Sequence, residues 1–187
     1  VKLIRVKDTR ENPVFSYPLV ESLGLGYLAS SLRSSDYKTE IIDQELQDIS
    51  TEKLISKLAD FDGLIGITTI ANQQMIEAFN LVKKLKQLGC NAHFTCGGQY
   101  ATFLHKEILK QPLTFDSVIL YEGEQTIVEL ARTLEEKKPD ISQVKGIGYK
   151  ENKKIITAKI RPILQNLDEL PFPARDTLER VVEKGGL

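Results

Sequence analysis

Tryptophan is absent from the 187 residues, methionine occurs once, and cysteine and histidine occur twice each. Cys90 and Cys96 lie on one short extended run with five residues between them, too far apart for a disulfide, so a reduced, cytoplasmic setting is expected. His93 and His105 have no second histidine or acid at a spacing that makes a metal cage, and structural roles are expected for both. No serine sits in a nucleophile elbow and no cysteine stands beside a plausible base, which argues against a hydrolase. No apolar stretch approaches the ~20 residues needed to span a bilayer, and the first residues lack a basic-then-apolar signal pattern. Charge of one sign is missing too. The 25 Lys and Arg against 26 Asp and Glu leave a net charge of −1, and no long single-sign run offers a footprint for nucleic acid or membrane. There is no internal repeat or low-complexity tract.

What is present is an alternation of apolar runs and helical patterns, the rhythm of a parallel sheet covered by helices on both faces. Strands are predicted at Leu3–Val6, Thr39–Asp43, Gly63–Thr68, Ala92–Cys96 and Ser117–Leu120. The third, apolar on both faces, belongs at the sheet centre. Helices are predicted at about 22–33, after Ser50 as N-cap with Leu54, Leu58 and Phe61 on one face, at 71–88 with Met75, Phe79, Val82 and Leu85 on one face, at 103–110 and at 124–136. Gly24 and Gly26 lack the third glycine of a dinucleotide fingerprint and read as close helix packing. Five parallel strands with crossover helices make residues 1–138 a doubly wound α/β domain. Residues 139–175 change character: two short runs flank Glu151-Asn152-Lys153 as a β-hairpin extension, and a connector follows in which Pro171 and Pro173 forbid regular helix. Asp176 is placed to cap a short closing helix, and residues 176–187 read as the start of a following domain.

In open parallel sheets a ligand binds beyond the carboxyl ends of the strands, where loops and helix N-termini converge. The positional candidates are therefore Asp8, Thr9 and Arg10 after strand one, Thr68 and Thr69 after strand three, Gly97, Gly98 and Gln99 after strand four, and Glu122, Gly123 and Glu124 after strand five. Threonine hydroxyls donate and accept, and adjacent glycines let a ring or ribose approach the backbone, which suits a nucleotide-like tail. The same residues also serve as turns and helix caps in proteins without ligands.

The combination resembles the cobalamin-binding fold, whose pattern places Ser-x-Leu some 26 to 28 residues before Gly-Gly. Here Thr68-x-Ile70 stands for Ser-x-Leu, and 26 residues, Ala71 through Cys96, separate it from Gly97-Gly98. The chain is more closely similar to the N-terminal domain of cobalamin-dependent radical S-adenosylmethionine enzymes, a group that includes methyltransferases and the anaerobic porphyrin-ester cyclase. Four stretches carry this: Leu23 to Ala29, Gly97 to Thr102, Glu122 to Thr126, and Leu167 to Asp176 with its Leu-Pro-Phe-Pro-Ala-Arg-Asp. The resemblance implies a Rossmann-like, flavodoxin-like fold. It also implies that Asp8, Thr9, Arg10, Thr68, Thr69, Gly97, Gly98, Gln99, Glu122, Gly123 and Glu124 contact a cobalamin, with a cavity for its tail between strands one and three.

Departures from the family pattern carry further expectations. The histidine that ligates cobalt in the wider fold would fall in the loop reading Asp8-Thr9-Arg10-Glu11-Asn12-Pro13, which has none. The resemblance then implies base-off cobalamin with no protein imidazole, a state that eases reduction of cobalt. Tyr100 and Tyr121 replace a usual His and Gly, which motivates an alternative: a ligand-free scaffold that only docks a catalytic core. No Cys-x3-Cys-x2-Cys motif follows the connector, so a 4Fe-4S cluster and S-adenosylmethionine are expected in a radical SAM domain further along a longer parent chain. That core would act on a small molecule that this piece does not identify, by methyl transfer or cyclase chemistry.

Overall fold

The computed structural model describes residues 1–8, 20–70 and 72–185. Five strands run parallel: β1 (Lys2–Arg5), β2 (Glu40–Asp43), β3 (Leu64–Thr68), β4 (His93–Gly97) and β5 (Ser117–Ile119). Two more, β6 (Ile147–Glu151) and β7 (Lys154–Thr157), add antiparallel to β5, giving one seven-stranded sheet in the order β2-β1-β3-β4-β5-β6-β7. The expected five-stranded sheet with a hairpin extension thus becomes a single mixed sheet. The hairpin shields the β5 edge, which would otherwise present unpaired backbone groups to other chains.

Strand side chains alternate between two cores, as the two-residue period requires. Leu3, Ile41, Leu64 and Ile119 pack with Leu25, Ala29 and Leu32 of helix α1 (Leu23–Arg33) and with Ile127, Leu130 and Ala131 of α5 (Glu124–Leu134). Their neighbours Ile4, Ile42, Ile65 and Val118 face the other way, onto α2 (Thr51–Leu58), α3 (Asn72–Gln87) and α4 (Gln99–Lys110). Phe94, fully buried, is among the largest side chains of that second layer. Ser50 caps α2 as expected, its Oγ accepting from Lys53 N at 3.3 Å.

The connector turns back over α1. Ala174 N donates to Gly26 O at 3.0 Å, and a Cβ at Gly26 would lie 2.7 Å from Ala174 O, so Gly26 gives close packing against the connector rather than against another helix. Asp176 does not cap the closing helix α6 (Leu178–Glu183), whose N-cap is Thr177. Its carboxylate instead accepts from both Arg33 nitrogens, at 2.8 and 2.5 Å, the two parallel bonds that a forked guanidinium makes to a carboxylate. That pairing holds the Asp176 carboxyl below its ordinary pKa. Arg175 and Thr177 bond Glu21, and Lys184 bonds Asp48 at 2.7 Å. None of the helices among the described residues is long and apolar enough to cross a membrane.

Candidate functional site

The carboxyl ends of β3 and β4 meet in register, with Thr68 directly opposite Gly97. The chain then crosses itself closely. Thr69, fully buried, donates to Gly97 O from its backbone N at 3.0 Å and from its hydroxyl at 3.2 Å. Gly98 follows at φ 107° and ψ 177°, and a Cβ there would sit 2.6 Å from Thr69 O, so only glycine serves. Thr102, in the first turn of α4, donates its hydroxyl to Gly98 O at 3.0 Å and accepts from Tyr121 N at 3.0 Å. The loop after β5 is thereby tied to the glycine pair.

Beneath this junction lies a slot of about 150 Å³ between α1 and α5, over β3, β4 and β5. Gly24, Leu25 and Leu28 form one wall, Gly123, Glu124 and Ile127 the other, and Gly66, Thr68, Thr95, Gly97 and Ile119 the floor and inner end. The room exists because Gly66 carries no side chain: a Cβ there would meet Leu3 Cδ2 at 3.1 Å and Ile127 Cδ1 at 3.5 Å. The same Leu3 side chain reaches across from β1 to Gly66 of β3, and among the described residues the slot lies one strand further along than the cavity expected between strands one and three. Beside β1 the sheet end is occupied as well. Asp43, buried at the end of β2, accepts from Glu45 N and Leu46 N and lies 3.2 Å from Arg5 Nη1, and burial raises its pKa.

The candidate residues divide accordingly. Thr68, Gly97, Gly98, Gly123 and Glu124 border the slot. Thr69 has its hydroxyl committed to Gly97 O, and Gln99 is exposed at the start of α4. Glu122 is exposed and accepts from Leu164 N at 2.8 Å, tying the connector to the loop after β5. Asp8 is half-buried at the end of the first described segment, while Thr9 and Arg10 lie outside the described residues. The two aromatic replacements leave the slot open: Tyr121 is 60 % exposed at its mouth, and the Tyr100 hydroxyl bonds Asn72 Oδ1 at 3.0 Å.

Sequence reading missed the hydrophobic walls and the Thr102 bridge. One signal was available, since Gly66 interrupts an otherwise aliphatic central strand, which marks a close approach of something to the backbone. The histidines hold structural positions. His93 Nε2 is 2.9 Å from Ser117 Oγ at the amino end of β4, and burial lowers its pKa. The His105 nitrogens are bonded to Thr102 O and Thr157 Oγ1, each at 3.0 Å. Among the described residues there is no group of three or more His, Cys, Asp or Glu that would hold a metal ion.

A mostly parallel sheet with an apolar slot under a glycine pair at its carboxyl edge defines a binding domain of the doubly wound α/β class. Residues 16–131 match the model of the B12 binding domain, and the chain belongs to that family. It is 33 % identical over 157 residues to an uncharacterized methyltransferase, PH0819, of Pyrococcus horikoshii, covering 83 % of this chain and 34 % of the relative. It is 26 % identical to the anaerobic magnesium-protoporphyrin IX monomethyl ester cyclase of Cereibacter sphaeroides, covering 78 % of this chain and 24 % of that one. The chain therefore spans about a third or less of these relatives. In fold it is similar to the cobalamin-dependent S-adenosylmethionine radical enzyme OxsB with aqua-cobalamin bound, with a TM-score of 0.81, 21 % identity, and coverage of 99 % of this chain and 25 % of that chain. It is also similar to the radical S-adenosylmethionine methyltransferase TsrM from Kitasatospora setae with cobalamin and a [4Fe-4S] cluster bound, with a TM-score of 0.66, 13 % identity, and coverage of 94 % and 31 %.

Proposed function

We propose that this domain grips a corrinoid by its nucleotide tail, with the lower base in the α1–α5 slot, and presents the cobalt to a radical S-adenosylmethionine core carried elsewhere in a longer chain. The observation that carries this reading is the slot itself. Its volume, about 150 Å³, matches that of an apolar cavity known to admit a benzene-sized ring, and Leu25, Leu28 and Ile127 give its two walls an aliphatic surface. A ring the size of an aromatic side chain buries about 150–250 Å², a gross gain of about 4–6 kcal/mol at 25 cal/mol per Å².

The residues then take distinct roles. Gly66 leaves the floor low enough for a flat ring, and Leu28 and Ile127 face its two sides. Gly97 lets the sugar-phosphate pass close to the backbone, Thr68 offers it a hydroxyl, and the amino ends of α1 and α5 offer backbone donors to the phosphate. Thr69, Thr102 and Gly98 hold this edge in shape. When bound, the corrinoid supplies a cobalt centre that carries the methyl group or electron required by the core, where the iron-sulfur cluster and S-adenosylmethionine would sit. The sequence has only His93 and His105, and both are engaged away from the slot, so neither would supply an imidazole to a bound corrinoid whose base lay in the slot.

The alternative, an empty docking scaffold, needs Tyr100 or Tyr121 to occupy the slot, and neither does. Titration with hydroxocobalamin followed by gel filtration tests the choice. A coloured one-to-one complex is expected at micromolar protein, and a colourless protein fraction would overturn it. In the reduced complex, electron paramagnetic resonance should show no nitrogen splitting from a lower ligand.

A further inference from the structure

The slot changes chemistry with depth. Gly66 pairs with Thr95, and Thr68 with Gly97, so the first pair lies two residues, about 6–7 Å along the strands, below the carboxyl edge. Near that edge Thr68, Tyr121 and Glu124 supply polar atoms. At depth the side chains are Leu25, Leu28 and Ile127, with Thr95 the one hydroxyl, while Ile119 stands level with Gly97 at the edge. The proton of that hydroxyl is already committed to Ser117 O at 3.2 Å, and its oxygen accepts from Ser117 Oγ at 3.0 Å. Ile67 and Cys96 border the slot by their backbone while their side chains lie in the opposite layer, and the β3–β4 ladder uses the polar groups of that backbone. No donor at the inner end of the slot is free to pair with a buried acceptor such as a ring nitrogen.

We propose that this inner wall selects the corrinoid by the polarity of its lower base, accepting benzimidazole and phenol types and discriminating against purines. The inference rests on the tail reading given above. A base entering from its sugar-phosphate end puts its far edge deepest. A benzimidazole presents carbon there, and so does a methyl-substituted phenol. Adenine is nearly the same size, so shape alone separates it poorly, but its far edge carries an exocyclic amine and ring nitrogens. Each polar atom stripped of water without a partner carries a desolvation cost, and the slot leaves at least one such atom unpaired. The expected loss is tenfold or more in affinity, which corresponds to about 1.4 kcal/mol.

Equilibrium titrations of the 187-residue chain with four probes, read from the corrin visible bands, test this. The probes are hydroxocobalamin, cobinamide (which has no base), the adenine-tailed cobamide and the p-cresol-tailed cobamide. Cobinamide should bind far more weakly than cobalamin. If it binds equally well, or if none of the four binds, the tail reading itself fails. If cobinamide is weak, the remaining ratio decides the selectivity. An adenine-tailed cobamide at least tenfold weaker than cobalamin, with the p-cresol form within threefold of it, supports the proposal. An adenine penalty below tenfold, or a p-cresol form that falls as far as adenine, overturns it.

Discussion

Gly97 and Gly98 are adjacent, yet alanine at the two positions should fail in opposite ways. At Gly98 the backbone holds φ 107° and ψ 177°, a region that costs a side chain about 1–3 kcal/mol. The added methyl would also sit 2.6 Å from Thr69 O, and relieving that overlap means moving the end of β3, at about 1–3 kcal/mol for overpacking. A total of about 2–6 kcal/mol is expected for Gly98→Ala, which for a chain of this size lowers Tm by about 5–25 °C. At Gly97 the backbone is ordinary strand, and a Cβ would stand 3.6 Å from Ile119 Cβ, a normal contact. Gly97→Ala should stay within about 1 kcal/mol of the parent, and removal of glycine entropy from the unfolded chain favours it slightly. The new methyl enters the slot, however, and should weaken hydroxocobalamin binding about tenfold or more. Urea unfolding and corrin absorbance on the same samples separate the two effects. A Gly98→Ala protein with parental Tm, or a Gly97→Ala protein with parental affinity, would refute the geometry assigned to this edge.

Other perturbations test other parts. Burial raises the pKa of Cys96, so the folded chain keeps the thiol neutral while the unfolded chain ionises it near pH 8.5. The stability this contributes is full below that pH and falls as pH rises above it. Cys96→Ala should flatten the alkaline limb of a stability profile. Burial lowers the pKa of His93, so the unfolded chain takes up a proton more readily than the fold and stability should fall as pH drops below about 6.5, an effect that His93→Gln should remove. Tyr121 sits at φ 59°, where glycine is unstrained, and Tyr121→Gly should raise stability by about 0.5–1 kcal/mol in chemical denaturation.

The sequence made the parallel core legible because its signals are local. Gly63 to Thr68 is apolar on both faces, Ser50 precedes a clear amphipathic face, and Gly97-Gly98 ends a strand. The 26-residue interval also carried information, since one crossover helix and one strand are the length that returns the chain to the same sheet edge, which puts Thr68 opposite Gly97. What escaped was long-range. The run at residues 147–157 reads as a hairpin, but nothing in it says that the β5 edge receives it. Asp176 has the chemistry of a helix cap, and its partner Arg33 stands 143 residues away. The cavity was misplaced by one strand because its position depends on Leu3 reaching across to Gly66, a contact between elements that alternation alone does not order.

The central claim, that the α1–α5 slot receives the corrinoid tail, is tested most directly by a crystal structure of the chain grown with hydroxocobalamin. The account predicts the flat lower base in density between Leu28 and Ile127, above Gly66, with the sugar-phosphate running past Thr68 and Gly97. Corrinoid density with its base outside this slot, or a slot still empty beside a bound corrin ring, would contradict it.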